Sequence, residues 1–338
     1  MNQQNTKILV VLSDLEWTNF LPGESGEWLS SLPGFRRVDS ASLDSEKWES
    51  LLADERPDVL VSAWSTPPLP PSLGDTEALS PRYVCHLTGT VKSRIPRALL
   101  EKGLLVTNWG DSISRTVAEG ALMLILSCLR RTAYWTHAMH NEGAWKSKDS
   151  KVYSLFRRSV GLHGFGAISR QLVPLLRPFD VDISTYSPSV PDDVLESLGV
   201  RRANSLEELF SSSQVLVELA PKTPANHKIV NEKLLRLLPE DGVFVNVGRG
   251  SVVDQDAVAR LAAEGRLHFG LDVFEKEPLP ADSPLRGMRN VMLCPHQAGP
   301  TWDRRRDAGT FAMENLKAYL SGGSLKSVIT PEVYDRST

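Results

Sequence analysis

The sequence predicts an α/β protein of two doubly wound parallel-sheet domains, the first of them discontinuous in the chain. Three observations predict this. Short apolar runs alternate with segments of helical periodicity through the early part of the chain, the pattern of repeated βα units. A second series of the same kind starts at a glycine-rich turn, Gly164-Phe165-Gly166. A last helical segment follows the final apolar run, so the chain is expected to turn back to the first domain.

The elements follow in order. Lys7–Leu12 reads as a buried strand, Asp44–Leu52 as a helix, and Asp58–Ala63 as a second strand before the proline-rich segment 67–71. Arg82–Leu87 and Leu104–Thr107 give a third and a fourth strand, with the helical Pro96–Lys102 between them. Ser114–Arg131 carries Val117, Ala121, Leu124, Ile125 and Cys128 on one face, the spacing of a long amphipathic helix. Asn108–Ser112 before it reads as a crossover between domains. Val160–Leu162, Ile183–Tyr186, Val215–Leu219, Val243–Val247, Leu267–Val273 and Val291–Leu293 then predict a sheet of about six strands. The helical Arg304–Leu320 ends at Gly322-Gly323. The expected domains are 1–108 completed by 299–338, and 109–298.

Composition narrows the function. A chain of 338 residues exceeds the roughly 100–200 residues of one domain. A net charge of −3 offers no basic excess for phosphate backbones, so no nucleic-acid partner is expected. The apolar stretch Ala121–Leu129 is too short to span a bilayer, and Met1–Lys7 lacks the order of a signal peptide. Cys85, Cys128 and Cys294 are odd in number and scattered, as reduced thiols of a cytoplasmic protein are. His137 and His140 share a helix face but have no partner cluster, so no metal site is expected.

Gly164-Phe165-Gly166-Ala167-Ile168-Ser169 lies between a strand and the helical Ile168–Leu176. It reads as a dinucleotide fingerprint with Ser169 in place of the third glycine. The first glycine allows the tight turn, the second lets the backbone approach a pyrophosphate, and the helix start offers its amides. A helix-capping loop is the plainer alternative. Ser187 stands where a carboxylate would hold the adenosine ribose and repel a 2′-phosphate. No arginine follows it directly, so NAD and NADP both remain open. His163 marks the strand end and is given no role.

Three further segments close strands of this second sheet: Asn246-Val247-Gly248-Arg249-Gly250, Leu271–Pro278 with Asp272 and Glu277, and Cys294-Pro295-His296-Gln297-Ala298-Gly299. Strand C-termini of an open parallel sheet converge on one crevice. An arginine, a carboxylate and a histidine meeting there suit the reduction of a ketone. His296 can supply the proton, Glu277 can orient and charge the imidazole, and Arg249 can grip a carboxylate with its planar fork. Glu275 is the alternative to Glu277, and the position beside Pro278 favours Glu277.

These segments resemble the D-isomer-specific 2-hydroxyacid dehydrogenase family, over nearly the whole chain. Thr116-Val117-Ala118-Glu119, Gly143-Ala144-Trp145 and Pro221-Lys222-Thr223-Pro224 add to the likeness. The resemblance implies an NAD(P)-dependent oxidoreductase moving a hydride to or from a small 2-keto/2-hydroxy acid. Its second domain would be a Rossmann NAD(P)-binding domain, its active site would lie in the cleft between the domains, and it would be a homodimer. It makes Arg249, Glu277 and His296 the catalytic set and places Asp272 at the nicotinamide carboxamide. It extends cofactor contact to Gly164, Phe165, Gly166, Ala167, Ile168, Ser187, Pro221, Val247, Gly248 and Gly299. Substrate contact falls to Trp64 and to Thr88, Gly89 and Thr90, besides Arg249 and His296. Formate-type members carry Gln where this chain has Glu277.

The chain departs from the pattern in places. Leu87–Ser93 lacks the usual acidic residue of its loop, Trp64 lies in Ala63-Trp64-Ser65-Thr66-Pro67, and Pro300 follows Gly299. Trp64 reads as a pocket wall or as packing. Two rival readings stand beside the dehydrogenase: a non-catalytic NAD-binding scaffold like the corepressors of the same fold, and a short phosphoglycerate dehydrogenase without a regulatory domain.

Overall fold

In the computed structural model, residues 6–75 and 78–336 are described. Met1–Asn5, part of the segment read above as lacking the order of a signal peptide, lie outside them. Five strands pair in the N-terminal part: β1 (Ile8–Leu12), β2 (Phe35–Asp39), β3 (Val59–Ser62), β4 (Tyr83–His86) and β5 (Leu105–Thr107). All are parallel, in the order β2-β1-β3-β4-β5. Alternate residues of β1 feed the two faces. Ile8, Val10 and Leu12 pack with Phe20 and Leu316, while Leu9 and Val11 pack with Trp48 and Leu99. A sheet covered on both faces explains why β1 is apolar throughout. Strand β2 was not expected. It is a half-exposed edge strand of sequence Phe-Arg-Arg-Val-Asp, with no apolar run to betray it. The helices Asp14–Phe20 and Glu24–Ser30 were missed for the same reason, since both are short and largely polar.

The second sheet has seven parallel strands: β6 (Ser159–His163), β7 (Asp182–Tyr186), β8 (Arg201–Arg202), β9 (Val215–Glu218), β10 (Val243–Asn246), β11 (His268–Leu271) and β12 (Val291–Leu293). Their order is β12-β11-β10-β9-β6-β7-β8. Sequence reading gave six of these. The one it lacked, β8, is two arginines long. The order reverses between β6 and β9, which makes their C-terminal ends the switch point where ligands of such sheets bind. The helix Ser114–Leu129 lies against this sheet. A Cβ on Gly270 of β11 would come within 3.0 Å of Leu124 and 3.2 Å of the Cys128 sulfur.

The chain divides into two compact units, Met1–Ile113 with Thr301–Thr338, and Ser114–Pro300. In the first, the helix Arg305–Ser321 is pressed on the segment Asp14–Phe20 so closely that a Cβ on Gly309 would overlap the Phe20 carbonyl. No helix among the described residues is long and apolar enough to cross a membrane.

Candidate active site

The glycine-rich turn is shaped for close approach. Gly164 has φ +91°, a region that L-side chains avoid, and a Cβ there would meet the Ala220 backbone at 2.9 Å. Gly166 is the N-cap of the helix Ala167–Leu176, and no side chain caps that helix. A Cβ on Gly166 would meet nothing within 4 Å, so the first helical amides open on free space. Free amides at a helix start are the kind of cradle that a phosphate group binds. Ser169 is fully buried, and its hydroxyl donates to the Gly164 carbonyl at 2.8 Å, tying helix to turn. Phe165 is buried, while Ala167 is exposed and Ile168 partly so.

Ser187 follows β7 and is buried. The Arg202 guanidinium wraps its loop, donating to the Ser187 carbonyl at 3.0 Å and to the Val190 carbonyl, and pairing with Asp192. The absence of a following arginine therefore misleads. An arginine fifteen positions on reaches the same loop, because β8 pairs directly with β7.

The three strand-end segments are each held by their own backbone contacts. After β10, Asn246 accepts the Gly248 amide at 3.0 Å and donates to the Arg249 carbonyl at 3.2 Å, curling Val247–Arg249 into a turn. Gly250 is required there, because a Cβ would lie 1.9 Å from the Phe274 carbonyl carbon. Arg249 is half-buried and donates to the Gly248 carbonyl at 2.7 Å. Desolvation lowers its pKa, and the Glu277 charge works in the opposite direction. After β11, one oxygen of Glu277 accepts the Phe274 amide at 3.0 Å, and the other lies 2.7 Å from Nδ1 of His296. Glu275 instead pairs with Lys228, which removes it as the partner of His296.

His296 sits in the left-handed region at φ +51°. Such a conformation persists where the surroundings over-determine it. Here its amide donates to the Asp272 carbonyl at 2.8 Å, and the buried Asp272 carboxylate accepts the amides of Gln297 and Ala298 at 2.8 and 3.1 Å. Asp272 thus holds the turn that presents His296. Gly299 and Ala298 lie against Ser114–Leu129: Cβ atoms on Gly299 and Gly120 would each come within 2.8 Å of the other segment. Glu277 and His296 line a cavity of about 620 Å³ together with Leu279, Arg286, Leu293 and Cys294. Among the described residues, no group of three or more His, Cys, Asp or Glu could hold a metal ion.

The first unit carries the other predicted residues. Trp64 is 38% exposed and packs on Phe20 and Trp109, with Arg305 over its ring at 5.4 Å. Thr88 is fully buried, and its hydroxyl lies 2.7 Å from Nε2 of His86, whose Nδ1 meets the Ser62 hydroxyl at 2.9 Å. The Gly89 carbonyl accepts from Nδ2 of Asn108 at 2.7 Å, and the missing side chain leaves room for the Trp109 ring. Thr90 and Gly89 are partly exposed. Sequence reading overlooked two histidine contacts, His86 with its hydroxyls and His163 with Glu218. Ser62 and Glu218 are brought to their histidines only by strand pairing, whereas Thr88 lies two residues from His86. Pro221 is exposed, next to the buried end of β9.

A doubly wound sheet with a phosphate cradle at its switch point, and an Arg, Glu and His at neighbouring strand ends, defines a nicotinamide-dependent oxidoreductase. Residues 122–298 match the D-isomer specific 2-hydroxyacid dehydrogenase, NAD binding domain. D-3-phosphoglycerate dehydrogenase of Methanocaldococcus jannaschii is 33% identical over 233 residues, which are 69% of this chain and 44% of that relative. The chain therefore spans less than half of that relative's length. Hydroxyphenylpyruvate reductase of Plectranthus scutellarioides is 36% identical over 235 residues, 69% of this chain and 72% of the relative. The D-mandelate dehydrogenase of Rhodotorula graminis shares the fold, with a TM-score of 0.81, 21% identity, and 96% and 97% of the two chains covered. The chain belongs to the D-isomer specific 2-hydroxyacid dehydrogenase family, and with it to the NAD(P)-dependent oxidoreductases of small 2-keto and 2-hydroxy acids.

Proposed function

We propose that this chain interconverts a small 2-keto acid and its D-2-hydroxy acid, with Arg249, Glu277 and His296 as the working set. The observation that carries this is the 2.7 Å contact between Nδ1 of His296 and Glu277. A carboxylate on Nδ1 fixes the tautomer and leaves Nε2 as the atom that gives or takes the proton of the substrate oxygen. Arg249 holds the substrate carboxylate through its fork and draws electron density from the adjacent carbonyl. When bound, the nicotinamide supplies or accepts the hydride. Gly164, Phe165, Gly166, Ala167 and Ile168 would hold the pyrophosphate, Ser187 the adenosine ribose, and Pro221, Val247, Gly248 and Gly299 the remainder. Asp272 would use its spare lone pairs for the carboxamide.

The second unit is thus the cofactor domain and the first the substrate domain. In the first, Trp64 and the backbone of Gly89 and Thr90 would contact the substrate. Thr88, whose hydroxyl is engaged by His86, shapes that loop from below. Arg202 beside Ser187 favours acceptance of NADPH as well as NADH. The protein acts in the cytoplasm as a homodimer, and the exposed Met123, Met139, Trp145 and Phe156 of the second unit are its apolar contact surface. The experiment is a panel of glyoxylate, hydroxypyruvate, pyruvate and aromatic 2-keto acids with both cofactors, followed by nicotinamide absorbance, with the product's configuration determined. Reduction of one or more to the D-acid is expected; inactivity across the panel would count against the proposal. Light scattering should give twice the chain mass.

A further inference from the structure

The switch point holds an ion pair that the chemistry above does not use. His163 closes β6 and Glu218 closes β9, two strands in direct register. Nδ1 of His163 lies 2.5 Å from Oε2 of Glu218, with side chains only 5% and 0% exposed. Burial opposes the imidazolium, yet the Glu218 charge and hydrogen bond prevail and raise the His163 pKa. The other oxygen of Glu218 accepts the Ala220 amide at 2.8 Å. The Tyr186 ring, at the end of β7, lies against the imidazole at 6.3 Å between centroids.

A buried ion pair of this kind is weak evidence for stability, since apolar residues of like volume often serve as well. Its position is more telling. His163 immediately precedes Gly164, and Glu218 immediately precedes Leu219-Ala220-Pro221. The two turns touch backbone to backbone, with a Gly164 Cβ position 2.9 Å from Ala220. On its other side the same segment meets the Arg249 turn, because a Cβ on Gly248 would lie 3.0 Å from the Glu218 carbonyl oxygen. We infer that His163 and Glu218 are a positioning pair that fixes the Gly164 turn, the Pro221 turn and the Gly248-Arg249 turn relative to one another, and so sets cofactor affinity and substrate grip together.

This rests on dinucleotide binding at the Gly164 turn, and its test is separate from the proton chemistry of His296. E218Q keeps an acceptor for the Ala220 amide and a polar partner for His163. Its NADH Kd, from fluorescence titration, should stay within about threefold of the wild type. H163L/E218L fills the same space without either group. It should melt near the wild-type Tm, bind NADH about tenfold more weakly and raise the keto-acid KM, with a smaller change in kcat. Should the double variant not fold, H163A, which has no polar atom to meet Glu218, takes its place with the same expected loss of NADH affinity. Either variant, folded at the assay temperature yet with wild-type NADH Kd and KM, would overturn the inference. So would an E218Q variant that binds NADH as weakly as the double one. Failure of wild-type protein to bind NADH would instead strike the reading of the Gly164 turn itself.

Discussion

The two sheets obey one architectural rule and finish their strands differently. In the second unit the strand ends carry glycines and charged groups: Gly164, Arg249, Glu277 and His296. In the first they carry one carboxylate, Asp39 on the edge strand, and otherwise hydroxyls, indoles and one histidine, His86, enclosed by Ser62 and Thr88. The contrast between the histidines is instructive. His296 is half-exposed, with a carboxylate 2.7 Å from Nδ1 and Nε2 left open. His86 is buried between two neutral hydroxyls, and burial, helped by the Arg94 charge, pushes its pKa down to about 4. The same side chain at the same kind of place is thus open at Nε2 in one sheet, where the proposed function has it give the proton, and enclosed in the other.

The sharpest way to break this comparison is His296→Ala. Loss of a positioned general acid should lower kcat by about 10²–10⁴-fold while NADH affinity changes little. Steady-state kinetics beside NADH titration checks it, and near-normal turnover would remove His296 from the mechanism.

The enclosure of His86 makes a prediction about acid stability. Its folded pKa of about 4 lies below the ordinary imidazole value of 6.5. The unfolded chain therefore binds more protons between these values. The stabilisation is complete above about pH 6.5 and is lost as pH falls toward 4, an effect on the order of 3 kcal/mol. Thermal melts of the wild type should show a falling Tm across that window. His86→Asn should flatten the slope, and an unchanged slope would mean that His86 is not a buried neutral group.

Arg249→Lys keeps the charge and loses the planar fork. Substrate KM should rise about tenfold with a smaller fall in kcat. A Lys variant equal to the wild type on every accepted keto acid would place the carboxylate grip in the first unit, at the amides of Gly89 and Thr90.

The smallest expected effect concerns cofactor choice. Ser187→Asp should weaken NADPH relative to NADH by about 1–2 kcal/mol, through repulsion of the 2′-phosphate. The measurement is kcat/KM with each cofactor in both proteins. The Arg202 guanidinium already pairs with Asp192, which keeps the shift modest. An Asp variant with unchanged preference would mean that Ser187 does not face the ribose.

What the sequence disclosed, and what it hid, follows from range. Strands such as Val243–Asn246 and Val215–Glu218 are buried on both faces, so their apolar runs announce them. Arg249, Glu277 and His296 stand out because each follows such a run beside Gly or Pro. The two-residue strand Arg201–Arg202 and the polar edge strand Phe35–Asp39 have no such mark, since pairing alone makes them strands. Contacts set by pairing between distant strands were equally hidden. The His163–Glu218 pair depends on sheet order, which no local pattern encodes, and so does the reach of Arg202 to the Ser187 loop, for which the sequence offers Arg201 and Arg202 only as the nearest distant arginines.

The three cysteines carry a practical consequence. All are free and buried, and burial raises each thiol, Cys85 and Cys128 to about 12. Cys294 lines the cavity beside His296, whereas Cys85 and Cys128 are enclosed, and such a thiol does not react with an alkylating reagent until the surrounding structure opens. Cys85 lies in the first sheet, whereas Cys128 and Cys294 belong to the second unit. Timed alkylation followed by peptide mass analysis would therefore report the opening of each half of the molecule separately, in the natural protein and without an introduced label.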